Sequence, residues 1–171
     1  MADLESFKLC TGLLSERLLN ERYDLELVLR FLSLRRVKDI SGFTIQDVGD
    51  FLDSQIDSLY PNFDDWKDEE TKILTKTFEL LAEKVGQDVF RRYLDGKYKG
   101  PFLISGFEAI AVGVGRCVEK YDPKKTHLDI KTVSQTLWSH PEFVKFSGVG
   151  VKAHTRVPKM LEIGCNLFEH R

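Results

Sequence analysis

The sequence predicts an all-α fold, a compact domain of about six to eight helices. Three observations predict it. Apolar residues recur at three- and four-residue intervals along most of the chain, the period of a helix with one buried face. Cap residues stand just ahead of these runs, and glycine or proline closes them. No sustained alternation of period two marks a half-buried strand; only Gly100 to Ile104 and Val149 to Val151 read as short extended pieces.

The elements follow in order. Asp24 is set to cap a helix, with Tyr23 stapling onto Val28 and Leu25, Val28, Leu29 and Leu32 on one face. Ser41-Gly42 breaks the chain. Thr44 then begins a second helix with Asp47 as its capping-box partner and Phe43 stapled on Val48. Ile45, Val48, Leu52, Ile56 and Leu59 line its buried side, and Pro61 ends it. A long helix starts near Asp65, turns Leu74, Phe78, Leu81 and Val85 inward, and is interrupted at Gly86. Val89 to Leu94 reads as its short helical continuation.

Asp95-Gly96-Lys97-Tyr98-Lys99-Gly100-Pro101 is rich in breakers and reads as a loop. It lies within one domain, 1–171, or divides two sub-lobes, 1–95 and 101–171. Ser105 caps the next helix, with Glu108 reaching back to complete a capping box. That helix buries Phe107, Ile110, Ala111, Val114 and Val118 and ends by Pro123. Asp129 caps a helix with Ile130, Val133 and Leu137 inward, closed by His140-Pro141. Thr155 starts the last helix, with Pro158 in its first turn, where the missing N–H costs nothing. Val157, Leu161, Gly164 and Phe168 form its core stripe.

Composition narrows the function classes. A chain of 171 residues buries on the order of 70% of its unfolded surface, enough for one good core. Net charge is −2, from 25 basic and 27 acidic residues, so no global basic field announces nucleic acid. The middle is acidic, from Asp47 through Asp50, Asp53 and Asp57 to Glu70, while the tail carries Lys145, Lys152, Arg156 and Lys159. Met1 to Lys8 holds acids and no apolar core of signal-peptide length, and no run of about 18 apolar residues exists to span a membrane. Cys10, Cys117 and Cys165 are odd in number and widely spaced, which suits packed thiols better than bridges or zinc. The expectation is a reduced, cytoplasmic protein that makes no membrane contact.

Several motifs resemble one family in the expected order. Asp24-Leu25-Glu26-Leu27-Val28-Leu29-Arg30-Phe31 resembles the D-x-E-L-V-L-R-F-like helix of GmrSD-type restriction and anti-phage proteins. Gly86 to Arg91 resembles their G-x-x-x-F-R-like turn after a long helix. Phe107-Glu108-Ala109-Ile110 resembles a late helix start of the form F-D/E-A-hydrophobic, and Val157 onward is similar to the final helix. In that family the first of these helices follows an N-terminal catalytic module of ParB-like nuclease fold. The resemblance therefore implies the helical back half of such a protein, partnered by a catalytic ParB-like module or another defence protein. The family's I-D-G-Q-Q-R-like catalytic signature occurs nowhere in this sequence, nor does a downstream His-centred nuclease module. What carries over is architecture and context, with no catalytic residue, metal ligand or cofactor.

Two basic clusters are the candidate DNA- or anion-binding residues. Arg91, Arg92, Lys97, Tyr98 and Lys99 combine cations with an aromatic that can stack on bases. Lys152, His154, Arg156 and Lys159 follow the glycine loop Gly148-Val149-Gly150, where a helix N-terminus favours an anion. Gly113-Val114-Gly115-Arg116 lies inside a helix and reads as close packing over small residues. The four histidines, His127, His140, His154 and His170, lack metal-ligand spacing. The competing expectation is a protein-interaction module without nucleic-acid contact, docking through the acidic face from Asp47 to Asp57.

Overall fold

Short helices open the chain: Glu5–Thr11 (α1), then Glu16–Asn20 (α2), whose cap Ser15 accepts a hydrogen bond from the Leu18 amide. The computed structural model describes residues 1–121, 129–148 and 150–168. Tyr23–Arg35 (α3) is preceded by Arg22 in the left-handed region, at φ 57°. Asp24 is therefore inside the first turn and does not cap it. There it favours the positive end of the helix dipole and lies 3.5 Å from the Arg22 guanidinium. The buried face also differs from expectation. Leu27, Val28, Phe31, Leu32 and Leu34 are buried, while Leu25 is 47% exposed and Leu29 only partly covered. Packed on two sides, α3 places its core positions at i, i+1, i+4, i+5 and i+7, which broadens a simple stripe.

Val48–Leu59 (α4) starts later than a cap at Thr44 would set it. Asp47 is the cap itself, accepting from the Gly49 and Asp50 amides at 2.7 and 3.2 Å. Phe43 packs against Phe51 at 5.5 Å between ring centroids, in place of a staple on Val48. Ile56 is 47% exposed and Asp50, Asp53 and Asp57 face solvent. A 3₁₀ turn, Tyr60–Asn62, leads directly into Phe63–Lys84 (α5), which turns Ile73, Leu74, Phe78 and Leu81 inward.

Beyond Gly86, at φ 81°, the chain departs from the expected helix. It forms an antiparallel hairpin of Arg92–Leu94 (β1) and Lys97–Lys99 (β2), with Arg92 opposite Lys99, Tyr93 opposite Tyr98 and Leu94 opposite Lys97. The two strands flank Asp95-Gly96, at φ 53° and 75°, both left-handed as a tight two-residue hairpin turn requires.

The following helix is continuous but mixed: Ile104–Gly106 (α6), a π-helical turn Phe107–Ala111, then Val112–Cys117 (α7) and a 3₁₀ turn Val118–Lys120. Pro123 lies outside the described residues. Leu103 stands at its cap and no side chain caps it, so the Ser105–Glu108 capping box does not form. Ile130–Leu137 (α8) is capped by Asp129 as expected, through the Lys131 and Thr132 amides. Hydrogen bonds from Thr132 and Lys131 hold that carboxyl below its ordinary range. His140 ends this segment and also caps Pro141–Ser147 (α9), its Nδ1 facing the Phe143 amide at 3.4 Å. The last helix, Ala153–Phe168 (α10), begins two residues before Thr155, so Pro158 stands past its first turn. The His154 carbonyl thereby lacks its usual donor.

One core draws on residues from both sides of 95–101. Phe78 is its hub, 4.8 Å from Phe7, 5.8 Å from Phe31 and stacked on Phe107 at 6.2 Å. A second cluster, including Leu34, Leu52, Val112 and Leu161, fixes α4 to α3, α7 and α10. Close approach of α7 and α10 depends on glycine: a Cβ at Gly113 would stand 2.7 Å from the Gly164 carbonyl oxygen, and one at Gly164 would overlap the Ala109 carbonyl. Gly113 to Arg116 thus packs closely over small residues, as the sequence suggests.

Candidate functional site

The fold carries two kinds of polar arrangement, one buried among helices and one on the surface hairpin. The buried one is centred on Glu108, which is fully enclosed in the π-helical turn. Irregular turns of this kind recur at functional positions. Arg30 of α3 donates from Nη1 to Glu108 Oε1 at 2.8 Å. Arg156 of α10 donates from Nε to Oε2 at 2.9 Å and from Nη2 to Oε1 at 3.2 Å. Arg30 also holds Glu26 through Nε and Nη2, at 2.8 and 2.7 Å. Burial works against the Arg156 cation, but the Glu108 carboxylate outweighs it and holds the guanidinium above its ordinary value. Tyr23, beside these charges, is pushed up by burial. Three separate stretches of chain are thus tied to one carboxylate.

A second buried acid, Glu70 of α5, repeats the pattern. It accepts from both arms of Arg35 and from Arg36, whose guanidinium also lies 5.7 Å over the Trp66 ring. Arg116 donates to the Arg35 and Val37 carbonyls at 2.7 and 2.8 Å, closing the C-terminal end of α3.

The surface arrangement is the hairpin. Period two sends Arg92, Leu94, Lys97 and Lys99 outward and turns Tyr93 and Tyr98 inward. The tyrosine rings meet edge to face at 4.9 Å, and Gln135 of α8 donates to the Tyr98 hydroxyl at 3.2 Å. Burial raises Tyr98 above its ordinary value. Tyr98 therefore backs the strand and is not on the face that carries the cations. Arg91 is also diverted: it donates to the Gly100 carbonyl at 2.7 Å and to Asp88 at 2.6 Å. What remains outward is Arg92 directly opposite Lys99, two like charges on one ladder, with Lys97 beside Leu94. Lys99 has Asp95 at 3.1 Å, while no carboxylate comes within 4 Å of Arg92 or Lys97 among the described residues.

The second basic cluster is not brought together as a cationic surface. Arg156 points inward to Glu108, and Lys159 bonds Glu162 at 2.7 Å. Lys152 and His154 are exposed. Val149 of the preceding glycine loop lies outside the described residues, as do His127 and His170. None of the three cysteines forms a disulfide, and burial pushes the Cys10 thiol up to about 12, far from a reactive thiolate. Among the described residues no group of three or more His, Cys, Asp or Glu gathers closely enough to hold a metal. No helix among them is long and apolar enough to cross a membrane.

The Glu108 centre overturns the sequence expectation, which gives that residue a capping role at the start of its helix. A signal for it is present: Glu108 is the only charged residue between Gly100 and Gly115. A lone charge in an apolar run is buried with a partner or not buried at all.

The chain matches no family model, no curated protein and no solved structure.

Proposed function

We propose that the chain is a non-catalytic helical module of a GmrSD-type phage-defence or restriction protein. It supports a nuclease or nucleotide-hydrolysing module and adds weak, sequence-independent contacts to DNA phosphates. The order of the motifs at Asp24, Gly86, Phe107 and Val157 supports the context. One observation supports the DNA contact: Arg92 and Lys99 face each other across the hairpin on its outward side. Like charges placed directly opposite are unfavourable on a bare sheet, and a phosphate between them relieves the repulsion. The outward face carries no Asn or Gln that would read a base edge, so phosphate contact dominates. The reduced set of outward cations keeps the affinity in the non-specific range, roughly 10⁻⁴ to 10⁻⁶ M at physiological salt.

A second reading, a protein-interaction module, is favoured by the exposed acidic stripe Asp50, Asp53 and Asp57 beside exposed Ile56 and Tyr60. Fluorescence anisotropy with a labelled duplex across a salt series separates the two. The wild-type log–log slope is expected to be about −0.9 per phosphate engaged. The triple variant Arg92→Ala, Lys97→Ala, Lys99→Ala should flatten it by about 1 for each phosphate it no longer engages. Arg91→Ala should leave the slope nearly unchanged, because Arg91 is held by Asp88 and the Gly100 carbonyl. An unchanged slope in the triple variant would refute the hairpin contact. Absence of binding at low salt would select the interaction module.

A further inference from the structure

Two surface features of opposite charge each combine that charge with exposed apolar area. The first is acidic. Asp53, Ile56, Asp57 and Tyr60, at i, i+3, i+4 and i+7, share the solvent face of α4 and the turn that extends it. The cleft beside them, about 480 Å³, is walled by Tyr60, Pro61, Asn62, Phe63, Asp64 and Asp65. Tyr60 is 79% exposed, and Ile56 and Phe63 are 47% exposed. From residue 53 to residue 69 the acids Asp53, Asp57, Asp64, Asp65, Asp68 and Glu69 all face solvent. Two cations oppose them. Lys67 reaches Asp64 and the Phe63 ring, while Arg36 lies over Trp66 and pairs with buried Glu70. The face stays strongly negative.

The second feature is the hairpin, where outward Arg92, Lys97 and Lys99 surround Leu94, itself 50% exposed. Asp95 in the turn offsets Lys99, and Arg91 is held by Asp88, so the face stays positive. The two features do not meet within one chain. Phe90, at the root of the hairpin, packs on Phe78 at 6.5 Å. Phe78 stands fifteen residues along α5 from Phe63, about 22 Å of helix rise. The chain from Phe90 to the turn at Asp95 spans at most about 17 Å.

We infer that copies of the chain associate head to tail, the hairpin of one seated in the acidic cleft of the next. Leu94 packs on the exposed rings of Tyr60 and Phe63, and Arg92, Lys97 and Lys99 meet the aspartates around them. Charge complementarity selects this occupant. The cleft already holds one cation in this way: Lys67 Nζ lies 2.5 Å from Asp64 and 5.6 Å from the Phe63 ring centroid. Arg92 and Lys99 repel one another across the ladder, and the carboxylates relieve that repulsion. A DNA phosphate would satisfy the cations but leave Leu94 in water; the cleft covers both. The contact joins two different patches, so it is heterologous and propagates unless its rotation closes a ring. It shares the outward hairpin face with the DNA reading and does not need DNA.

Light scattering at low salt, with no DNA present, tests this over a concentration series. The wild type should rise above the 19.7 kDa of one chain and fall back toward it as salt screens the charges. Two variants each disable one side: Arg92→Ala, Lys97→Ala, Lys99→Ala on the hairpin, and Asp57→Lys, Asp65→Lys at the cleft. Each alone should stay monomeric. Circular dichroism should match wild type, because every altered side chain is exposed. Mixed in equal amounts, the two supply one intact cleft and one intact hairpin, so the mass should stop at twice one chain. If the cleft variant folds poorly, the hairpin variant and the salt series still decide. A wild type that is monomeric at low salt, a hairpin variant that associates like wild type, or a mixture of folded variants no heavier than its components would overturn the proposal. Association without any DNA binding in the anisotropy series would refute the DNA reading and uphold this one.

Discussion

Glu108→Ala is expected to lower the free energy of unfolding by about 3–5 kcal/mol, the cost of breaking a buried ion pair on one side only. The effect has little to do with the glutamate's own packing. Arg30 is 8% exposed, and removing Glu108 leaves its guanidinium buried with Glu26 as the remaining partner. Arg156 forfeits both of its hydrogen bonds to the carboxylate. A buried charge without its counter-charge is far more costly than an intact pair is favourable. The same reasoning fixes a control. Replacing the set together, as Arg30→Met, Glu108→Leu and Arg156→Leu, should recover most of the stability, because apolar isosteres of a buried ion cluster are often neutral or stabilising. Denaturant melts of both variants decide it. A single Glu108→Ala effect of less than about 1 kcal/mol would mean that water reaches the cluster.

Gly164→Ala should also be severe, and with the opposite sign to helix propensity. In an ordinary helix interior alanine is more stable than glycine by roughly 0.5–1 kcal/mol. Here a methyl group would overlap the Ala109 carbonyl in the π-helical turn. Backbone faces backbone, so no side-chain rotation relieves the clash, and α10 must move off the turn that holds Glu108. The expected destabilisation is about 3 kcal/mol, the upper end of the usual overpacking range. Gly148→Ala is the contrast: the nearest atom to its Cβ is the Val144 carbonyl oxygen at 3.9 Å, with φ at −67°. Its effect should stay within about 0.5 kcal/mol. A lowered midpoint at unchanged m-value for Gly164→Ala, with Gly148→Ala near wild type, is the expected pair of results.

Where local chemistry decides an element, the sequence shows it. Asp129 caps α8, Gly86 closes the helical run begun in α5, and Gly113 and Gly115 mark close helix contacts, each legible from residues adjacent in the chain. The hairpin is harder to see, because its strands have three residues each and offer too few positions for period two to stand out. The Asp95-Gly96 pair is its signal. The faces of α3 escape a simple reading because that helix packs on two sides, and a single amphipathic stripe describes only helices with one free face. The Glu108 centre is the least legible. Arg30 and Arg156 lie 78 and 48 residues from Glu108 in the chain, and no local spacing encodes such a pairing. For the same reason Arg156 and Tyr98 look like surface ligands in the sequence, and the fold turns them inward.

The geometry of the polar centre suits it to holding α3, the π-helical turn and α10 together. Glu108 is fully enclosed and accepts three hydrogen bonds from two guanidinium groups, an arrangement that suits a structural anchor. Purified protein incubated with Mg²⁺ or Mn²⁺, nucleoside triphosphates and plasmid DNA gives the sharpest check. The expected result is no nucleotide release and no strand cleavage above buffer. Turnover that survives repurification and disappears in a folded Glu108→Gln variant would contradict the structural role and make the buried cluster an active site.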